Sequence, residues 1–186
     1  MTEPNYALEQ AKAQYDSICD MVAALEVDYV RLDALKAERA DLVSEAADYT
    51  NVEQGLARAA LTTWDFDKGE ELVELLEAAD GCENQGAARD RIQEDPLSVQ
   101  VRSGWMEPGQ LEQECKRVKN HILAEEFEIL LCTGGPAVRI MGGLDARCQP
   151  YRAWLEYQDW GTPWTRYFDA EQNTLLAYAN EFYFGG

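Results

Sequence analysis

The chain has 186 residues, with 35 acidic and 16 basic side chains and a net charge of −19 at pH 7. Its length fits one ordinary domain or a small domain with a helical extension, and its 46% hydrophobic content argues against global disorder. The excess of acids argues against direct binding to nucleic acid or to anionic lipid. The charge instead favours a basic protein surface as the partner, of the kind that holds DNA or RNA.

The sequence predicts a cytoplasmic protein. No run of about 18 apolar residues is present, so no transmembrane helix is expected. The first residues lack the basic and apolar regions of a secretory signal. The five cysteines are scattered without a C-x-x-C pair, a pattern typical of reduced thiols rather than of a disulfide framework or a zinc site. We therefore expect no metal and no cofactor.

The acidic charge belongs mainly to the first half of the chain. Residues 1–96 carry 23 acidic and 8 basic side chains, for a net charge of −15. Residues 97–186 carry 12 acidic and 8 basic side chains, for a net charge of −4. This shift coincides with a change of hydrophobic period, from helical to strand-like. We predict an α+β protein with an acidic helical region, 1–95, and an antiparallel β domain with a C-terminal helix, 96–186.

The first helical segment is predicted to run without interruption from about residue 5 to residue 48. Apolar side chains recur at alternating spacings of three and four, as in a coiled-coil seam. The seam residues are Leu8, Ala11, Tyr15, Ile18, Val22, Leu25, Tyr29 and Leu32. This seam must pack against a second copy, giving a homodimer, or against a later helix of the same chain. The tyrosines in the seam are unusual for a tight parallel dimer, which favours the intrachain hairpin as a competitor.

Shorter helices are predicted up to residue 94, over 51–62, 68–80 and 85–94. Strands follow, because apolar side chains then alternate with polar ones. The predicted strands cover 97–105, 126–132, 137–142 and 151–158, with a TGGP turn joining the second and third. Two further segments complete the chain: an insertion at 107–124 and a last helix at about 170–181, followed by aromatic residues that should tie the C-terminus to the sheet.

No catalytic residue is predicted. His121 is the only histidine, so a Ser–His–Asp triad would have to use it. It lies in the only basic cluster, which we interpret as an exposed helix face. Cys132 precedes the Gly pair of CTGGP, and we interpret this motif as a structural turn. Acidic side chains such as Glu128 and Glu156 leave a carboxylate- or metal-dependent enzyme open as an alternative.

Two features indicate a partner-binding surface. A helix rises 1.5 Å per residue, so paired acidic helices can imitate a row of phosphates in sign and spacing. Tryptophans on a loop stiffened by Gly and Pro are favoured as binding hot spots, although they also serve as lids on a small core. The candidate residues are Asp28, Asp33, Glu38, Asp41, Glu45, Trp160 and Trp164.

Two segments, LLCTGGPAVRI and LEYQDWGTPWT, resemble a block that recurs in small proteins of bacteriophages and integrated elements. The resemblance covers residues 95–105 and 126–186. That family has no established activity, so no functional residues are transferred. The resemblance implies a mobile-element context, in which small acidic proteins often inhibit bacterial defence machinery such as CRISPR effectors or restriction enzymes.

The leading hypothesis is therefore a non-enzymatic acidic protein that occupies the basic surface of a bacterial nucleic-acid-handling defence protein. In this hypothesis, carboxylates imitate the phosphates of nucleic acid and the tryptophan loop supplies short-range specificity. Two alternatives remain: an oligomerising scaffold protein of a phage, and an enzyme that uses carboxylates or a metal.

Overall fold

The computed structural model describes residues 5–48, 66–103 and 124–185. The protein is α+β, as predicted. The described helices are α1 (Tyr6–Glu26), α2 (Tyr29–Asp48), α3 (Phe66–Ala79), α4 (Gln85–Glu94) and α5 (Gln172–Ala179). The strands are β1 (Ser98–Arg102), β2 (Glu126–Cys132), β3 (Ala137–Leu144), β4 (Pro150–Gln158) and β5 (Thr165–Tyr167). The helix predicted over 51–62 and the insertion predicted at 107–124, apart from Ala124, lie outside the described residues.

The chain divides into two compact units, which differ from the predicted regions 1–95 and 96–186. The sheet unit combines Met1–Val22 with Asp90–Gly186, and the helical unit is Ala23–Arg89. The predicted boundary followed the change from helical to strand-like sequence. The observed division differs because most of α1 and the second half of α4 belong with the sheet, where Ile18 and Ile92 are fully buried.

The predicted uninterrupted helix over 5–48 is wrong at residues 27 and 28. There α1 ends and α2 begins, and the Oδ1 atom of Asp28 accepts a hydrogen bond from the backbone N–H of Arg31 at 2.9 Å. A carboxylate that satisfies an N–H of the first turn is a helix N-cap. The apolar periodicity continues across this break, which is why the pattern concealed it.

The predicted seam is buried only in part. Ala11 and Ile18 are fully buried in the sheet unit, whereas Leu8 is 39% exposed. The buried stripe of α1 is displaced from the predicted one and comprises Ala7, Ala11, Ile18, Met21 and Ala24. On α2, the predicted seam residues Tyr29 and Leu32 are buried.

In the helical unit, this α2 stripe packs against α3. Tyr29, Leu32 and Leu35 form one hydrophobic cluster with Leu72 and Ala79. This part of the seam therefore takes the intrachain partner that the sequence left open. The Tyr29 hydroxyl donates a hydrogen bond to the carbonyl of Ala24 at 3.0 Å, so the seam tyrosine is satisfied without a second copy of the chain.

The five strands follow chain order in an antiparallel meander, β1-β2-β3-β4-β5. The predicted hairpin over 126–132 and 137–142 is confirmed, with β3 continuing to Leu144. Ile129, Ile140 and Leu155 lie side by side on the inner face and are fully buried. Because successive side chains of a strand alternate between faces, the same register places a second set of residues on the outer face.

The C-terminal segment covers the inner face, as predicted. Helix α5 packs against β4, and Tyr178 of this helix is fully buried. The ring of Phe184 lies 4.7 Å from the ring of Phe127, measured between centroids. Gly142, opposite Phe127 in the register, leaves room for that ring, since a methyl group at Gly142 would overlap it.

Candidate functional site

The outer face of the sheet gathers charged side chains from all five strands. The antiparallel register sets Glu128 beside Met141, Arg139 beside Glu156, and Glu156 beside Arg166. The charged residues of this face are Arg102, Glu126, Glu128, Arg139, Arg152, Glu156 and Arg166. Opposite charges directly across a strand pair stabilise a sheet, so this arrangement is largely self-neutralising.

Arg139 is the centre of this face. Its Nη1 donates to Glu128 Oε2 at 2.6 Å, and its Nη2 and Nε donate to Glu156 Oε2 at 2.8 and 2.9 Å. The guanidinium carbon lies 4.0 Å from the centroid of the Trp164 ring. The Arg139 side chain is only 20% exposed. Charge-assisted hydrogen bonds and a stacked aromatic ring therefore hold one guanidinium in place.

The neighbouring side chains extend this network. Trp154 Nε1 donates to the other carboxylate oxygen of Glu156 at 2.8 Å. Arg102 Nε lies 2.5 Å from Glu126 Oε2, and Arg152 Nη2 lies 3.9 Å from Glu126 Oε1. A depression of about 230 Å³ lies beside Arg102, Glu126, Glu128 and Arg139. Its charged walls are already paired with one another.

The carboxylates at the centre of this face are engaged in structural contacts. Acid–base hydrolysis by paired carboxylates needs them to face a shared cleft that admits substrate and water. Here Glu128 and Glu156 are instead bound to the same guanidinium. Within the described residues, no group of three or more His, Cys, Asp or Glu side chains has the geometry of a metal site.

Cys132 also lies in a structural setting. It ends β2, and the TGGP turn that follows leads into β3, as the motif predicts. Burial raises the pKa of the Cys132 thiol. A nucleophilic cysteine needs the opposite shift, because the thiolate is the reactive form. His121 and its basic cluster lie outside the described residues.

The acidic residues predicted on the first helix lie at the start of α2 or on it and have different roles. Asp28 caps the helix, and Glu38 pairs with Lys68 Nζ at 2.5 Å. Asp33 is exposed, 4.0 Å from Lys36 Nζ, and Asp41 is exposed. Glu45 belongs to α2, but its side chain lies outside the description. Asp33 and Asp41 are thus the predicted acids with exposed side chains on α2.

The sequence analysis missed an acidic row on α3. Glu70, Glu74 and Glu77 are all exposed, at spacings of four and three residues that place them on one face of the helix. Within the part of the chain that the structure describes, no Lys or Arg pairs with them. Val73 and Leu76 lie along one side of this row and are 52% and 41% exposed. The i, i+4, i+7 spacing of the glutamates was the signal in the sequence.

The two predicted tryptophans differ in the surface that they offer. Trp164 is half-buried beneath the Arg139 guanidinium. Trp160 is 77% exposed, and its Nε1 donates to the carbonyl of Gly134 at 3.1 Å. Of these two tryptophans, only Trp160 therefore presents a largely exposed ring. The structure places both tryptophans in the sheet unit and the α2 acids in the helical unit.

Comparison of the chain with protein-family models, with curated proteins and with solved structures gives no match. Among the described helices, none combines the length and the apolar character needed to cross a membrane.

Proposed function

We propose that the chain is a non-enzymatic acidic binding protein that occupies the basic surface of a bacterial nucleic-acid-handling protein. The observation that carries this proposal is the exposed row of Glu70, Glu74 and Glu77 on α3. A partner that normally holds phosphates presents Lys and Arg, which these carboxylates would occupy.

The spacing of the row supports this use. At 1.5 Å per residue, the three glutamates follow one another at about 6 and 4.5 Å along the helix axis. One DNA strand carries a charge about every 3.4 Å of axis, so a single acidic helix approaches the charge density of a strand without reaching it. Asp33 and Asp41 on α2, which packs against α3 in the same unit, add further exposed acids.

The apolar residues beside the glutamates support a protein partner rather than a small cation. Val73 and Leu76 are exposed along one side of the acidic row. A protein surface can bury them while its basic residues meet the flanking carboxylates, and such a combination of apolar and charged contacts is typical of specific interfaces. The resemblance to mobile-element proteins supports a target within a bacterial defence system.

Capture from a nuclease-treated bacterial lysate that expresses several defence systems tests this proposal. The immobilised chain should retain a nucleic-acid-binding protein that a salt step releases, and mass spectrometry identifies it. Duplex DNA added before capture should reduce the yield, because it competes for the same basic surface. Capture that neither salt nor DNA weakens would contradict the proposal.

Neutralisation of the α3 row sharpens the test. The variant Glu70→Gln, Glu74→Gln, Glu77→Gln should lose most of the capture. A matched control neutralises three exposed acids of α1 in the sheet unit, as Glu9→Gln, Asp16→Asn, Asp20→Asn, and changes the net charge equally. Equal losses of captured partner in both variants would show that net charge alone determines binding. Such a result would contradict the role assigned to the α3 row. Asp28 is left intact, since its loss would remove the cap of α2.

A further inference from the structure

Trp160 occupies an unusual position for a large aromatic side chain. It lies in the loop between β4 and β5 and is 77% exposed, although its indole N–H is hydrogen-bonded to the carbonyl of Gly134. The ring also lies against Gly135, where φ is +76° and where a methyl group would overlap the indole. The tryptophan is therefore held in one orientation while most of its surface stays open.

The loop that carries Trp160 is ordered by its own hydrogen bonds. Asp159 Oδ1 accepts the backbone N–H of Trp160 at 2.8 Å. The Thr162 hydroxyl donates to the carbonyl of Asp159 at 3.0 Å, and the Thr162 N–H donates to the same carbonyl at 3.1 Å. A side chain held in its bound orientation loses little conformational entropy on binding, so a fixed aromatic ring is a favourable contact point.

A depression of about 160 Å³ adjoins the ring. Its lining includes the backbone of Gly134 and Gly135, together with Gln158 and Asp159. Asp159 is exposed, and within the described residues no Lys or Arg pairs with its carboxylate. The site thus combines an aromatic face with a negative charge in a chain whose net charge is −19.

Elsewhere in the sheet unit, a guanidinium lies on a tryptophan ring and pairs with carboxylates. Arg139 stacks on Trp164 at 4.0 Å and donates hydrogen bonds to neighbouring carboxylates. Trp160 and Asp159 provide the aromatic ring and the carboxylate, but no described cation lies over this ring. A guanidinium matches both groups, because it is planar, stacks on aromatic faces and pairs with carboxylates.

We propose that Trp160 and Asp159 form a docking site for an arginine side chain of a basic partner protein. This inference rests on the proposed function, since the site supplies a short-range contact for the basic partner that the acidic row on α3 attracts. The site binds a single arginine side chain, whereas the α3 row binds several basic residues of the partner surface.

The test is a titration of the ¹⁵N-labelled chain with N-acetyl-arginine amide, followed by the indole N–H resonances. The Trp160 resonance, assigned with a Trp160→Phe variant, should shift progressively, while that of Trp154, which is bonded to Glu156, should stay unchanged. N-acetyl-citrulline amide has nearly the same shape without the charge and should produce a much smaller shift. Equal shifts with both compounds, or no shift with arginine amide, would overturn the proposal.

Two variants separate the contributions of the ring and the carboxylate. Asp159→Asn keeps an oxygen that can accept the backbone N–H of Trp160. It should weaken arginine binding about threefold, as expected for one exposed ion pair. Gly135→Ala retains Trp160 but displaces its ring, and should abolish the response. Unchanged affinity in Asp159→Asn would contradict the role assigned to the carboxylate, and this variant keeps the test decisive if Gly135→Ala does not fold.

Methyl β-glucoside provides the last comparison, because sugars also stack on exposed tryptophan. A Trp160 shift with the glucoside but not with arginine amide would overturn the proposal in favour of a sugar site. The titration needs no partner protein. Failure of lysate capture would therefore remove the proposed function while an arginine-specific shift at Trp160 still supported this site.

Discussion

In the sheet unit Arg139 lies between Glu128 and Glu156, whereas in the helical unit Glu70, Glu74 and Glu77 line one face of α3 without a described basic partner. Both regions contain glutamates, but those of the sheet unit are neutralised by an arginine and those of α3 remain exposed. Antiparallel strands bring distant residues side by side, so charges that are remote in sequence neutralise one another. A helix face displays its own residues every three or four positions, so a segment rich in acids remains acidic.

The largest effect expected from this comparison follows loss of the central cation. Arg139→Ala leaves Glu128 and Glu156, which are 28% and 18% exposed, without their shared partner. We expect a loss of about 2 kcal/mol in the free energy of unfolding, below the cost of breaking a fully buried pair. Urea denaturation followed by tryptophan fluorescence measures this loss of stability.

Arg102→Ala is the matched control, because Arg102 is 69% exposed and should contribute less than about 0.5 kcal/mol. Equal losses in the two variants would contradict the central role of Arg139.

A smaller effect is expected at the hydrogen bond between Tyr178 and Asp95 in the sheet unit. The hydroxyl of the buried Tyr178 donates to Asp95 Oδ2 at 2.6 Å. Burial, together with the Asp95 carboxylate, raises the pKa of Tyr178 above the ordinary value of 10.0, so the hydroxyl remains a proton donor even at alkaline pH. Tyr178→Phe should reduce the free energy of unfolding by about 1.5 kcal/mol, the value of a hydrogen bond to a charged group. Thermal and urea unfolding check this expectation.

The control variant is Tyr151→Phe, at an exposed tyrosine, which should have almost no effect on the free energy of unfolding. A negligible loss in Tyr178→Phe would show that the hydrogen bond adds no net stability.

The smallest effect is expected in the helical unit, at the ion pair between Arg31 and Glu71. Arg31 Nε and Nη2 donate to the two carboxylate oxygens of Glu71 at 2.7 and 2.6 Å. The hydrogen bonds from Arg31 hold the pKa of Glu71 below its ordinary value of 4.5. The stabilising contribution is therefore complete above pH 4.5 and is lost as the pH falls through the lower pKa of the folded state.

An NMR titration of the Glu71 carboxyl group measures this shift directly. Arg31→Gln should return the pKa of Glu71 towards 4.5, while Lys68→Gln should move it less, because Lys68 acts only through its charge. A Glu71 titration that is unchanged in Arg31→Gln would show that the pair does not persist in solution.

Local patterns determined much of the fold. The alternation of EFEILLC and AVRIMGGL, with TGGP between them, was enough to predict the β2–β3 hairpin, because strand period and turn residues are local properties. The C-terminal helix and its aromatic tail were predictable for the same reason. The break between α1 and α2 was not, because Asp28 looks like any other surface acid until its carboxylate is seen to accept the N–H of Arg31.

The candidate site was predictable only where it depends on spacing along one element. The acids of α2 and the tryptophan loop could be named from the sequence, and the α3 glutamates had the same visible spacing. The sequence could not distinguish Trp160 from Trp164, because their difference depends on Arg139, which is 25 residues away from Trp164 in the chain. It also could not show that Glu128 and Glu156 share one guanidinium, since strand register decides that contact.

The sequence by itself therefore determined the acidic character of the chain, its α+β class and most of its local elements, because charge and hydrophobic period are properties of neighbouring residues. Tertiary structure decided which charges are neutralised and which remain displayed. It placed Arg139 between two carboxylates, used Asp28 and Glu38 for capping and pairing, and left Trp160 and the α3 glutamates exposed. These outcomes depend on contacts between residues far apart in the chain, and the pattern of any one segment does not contain them.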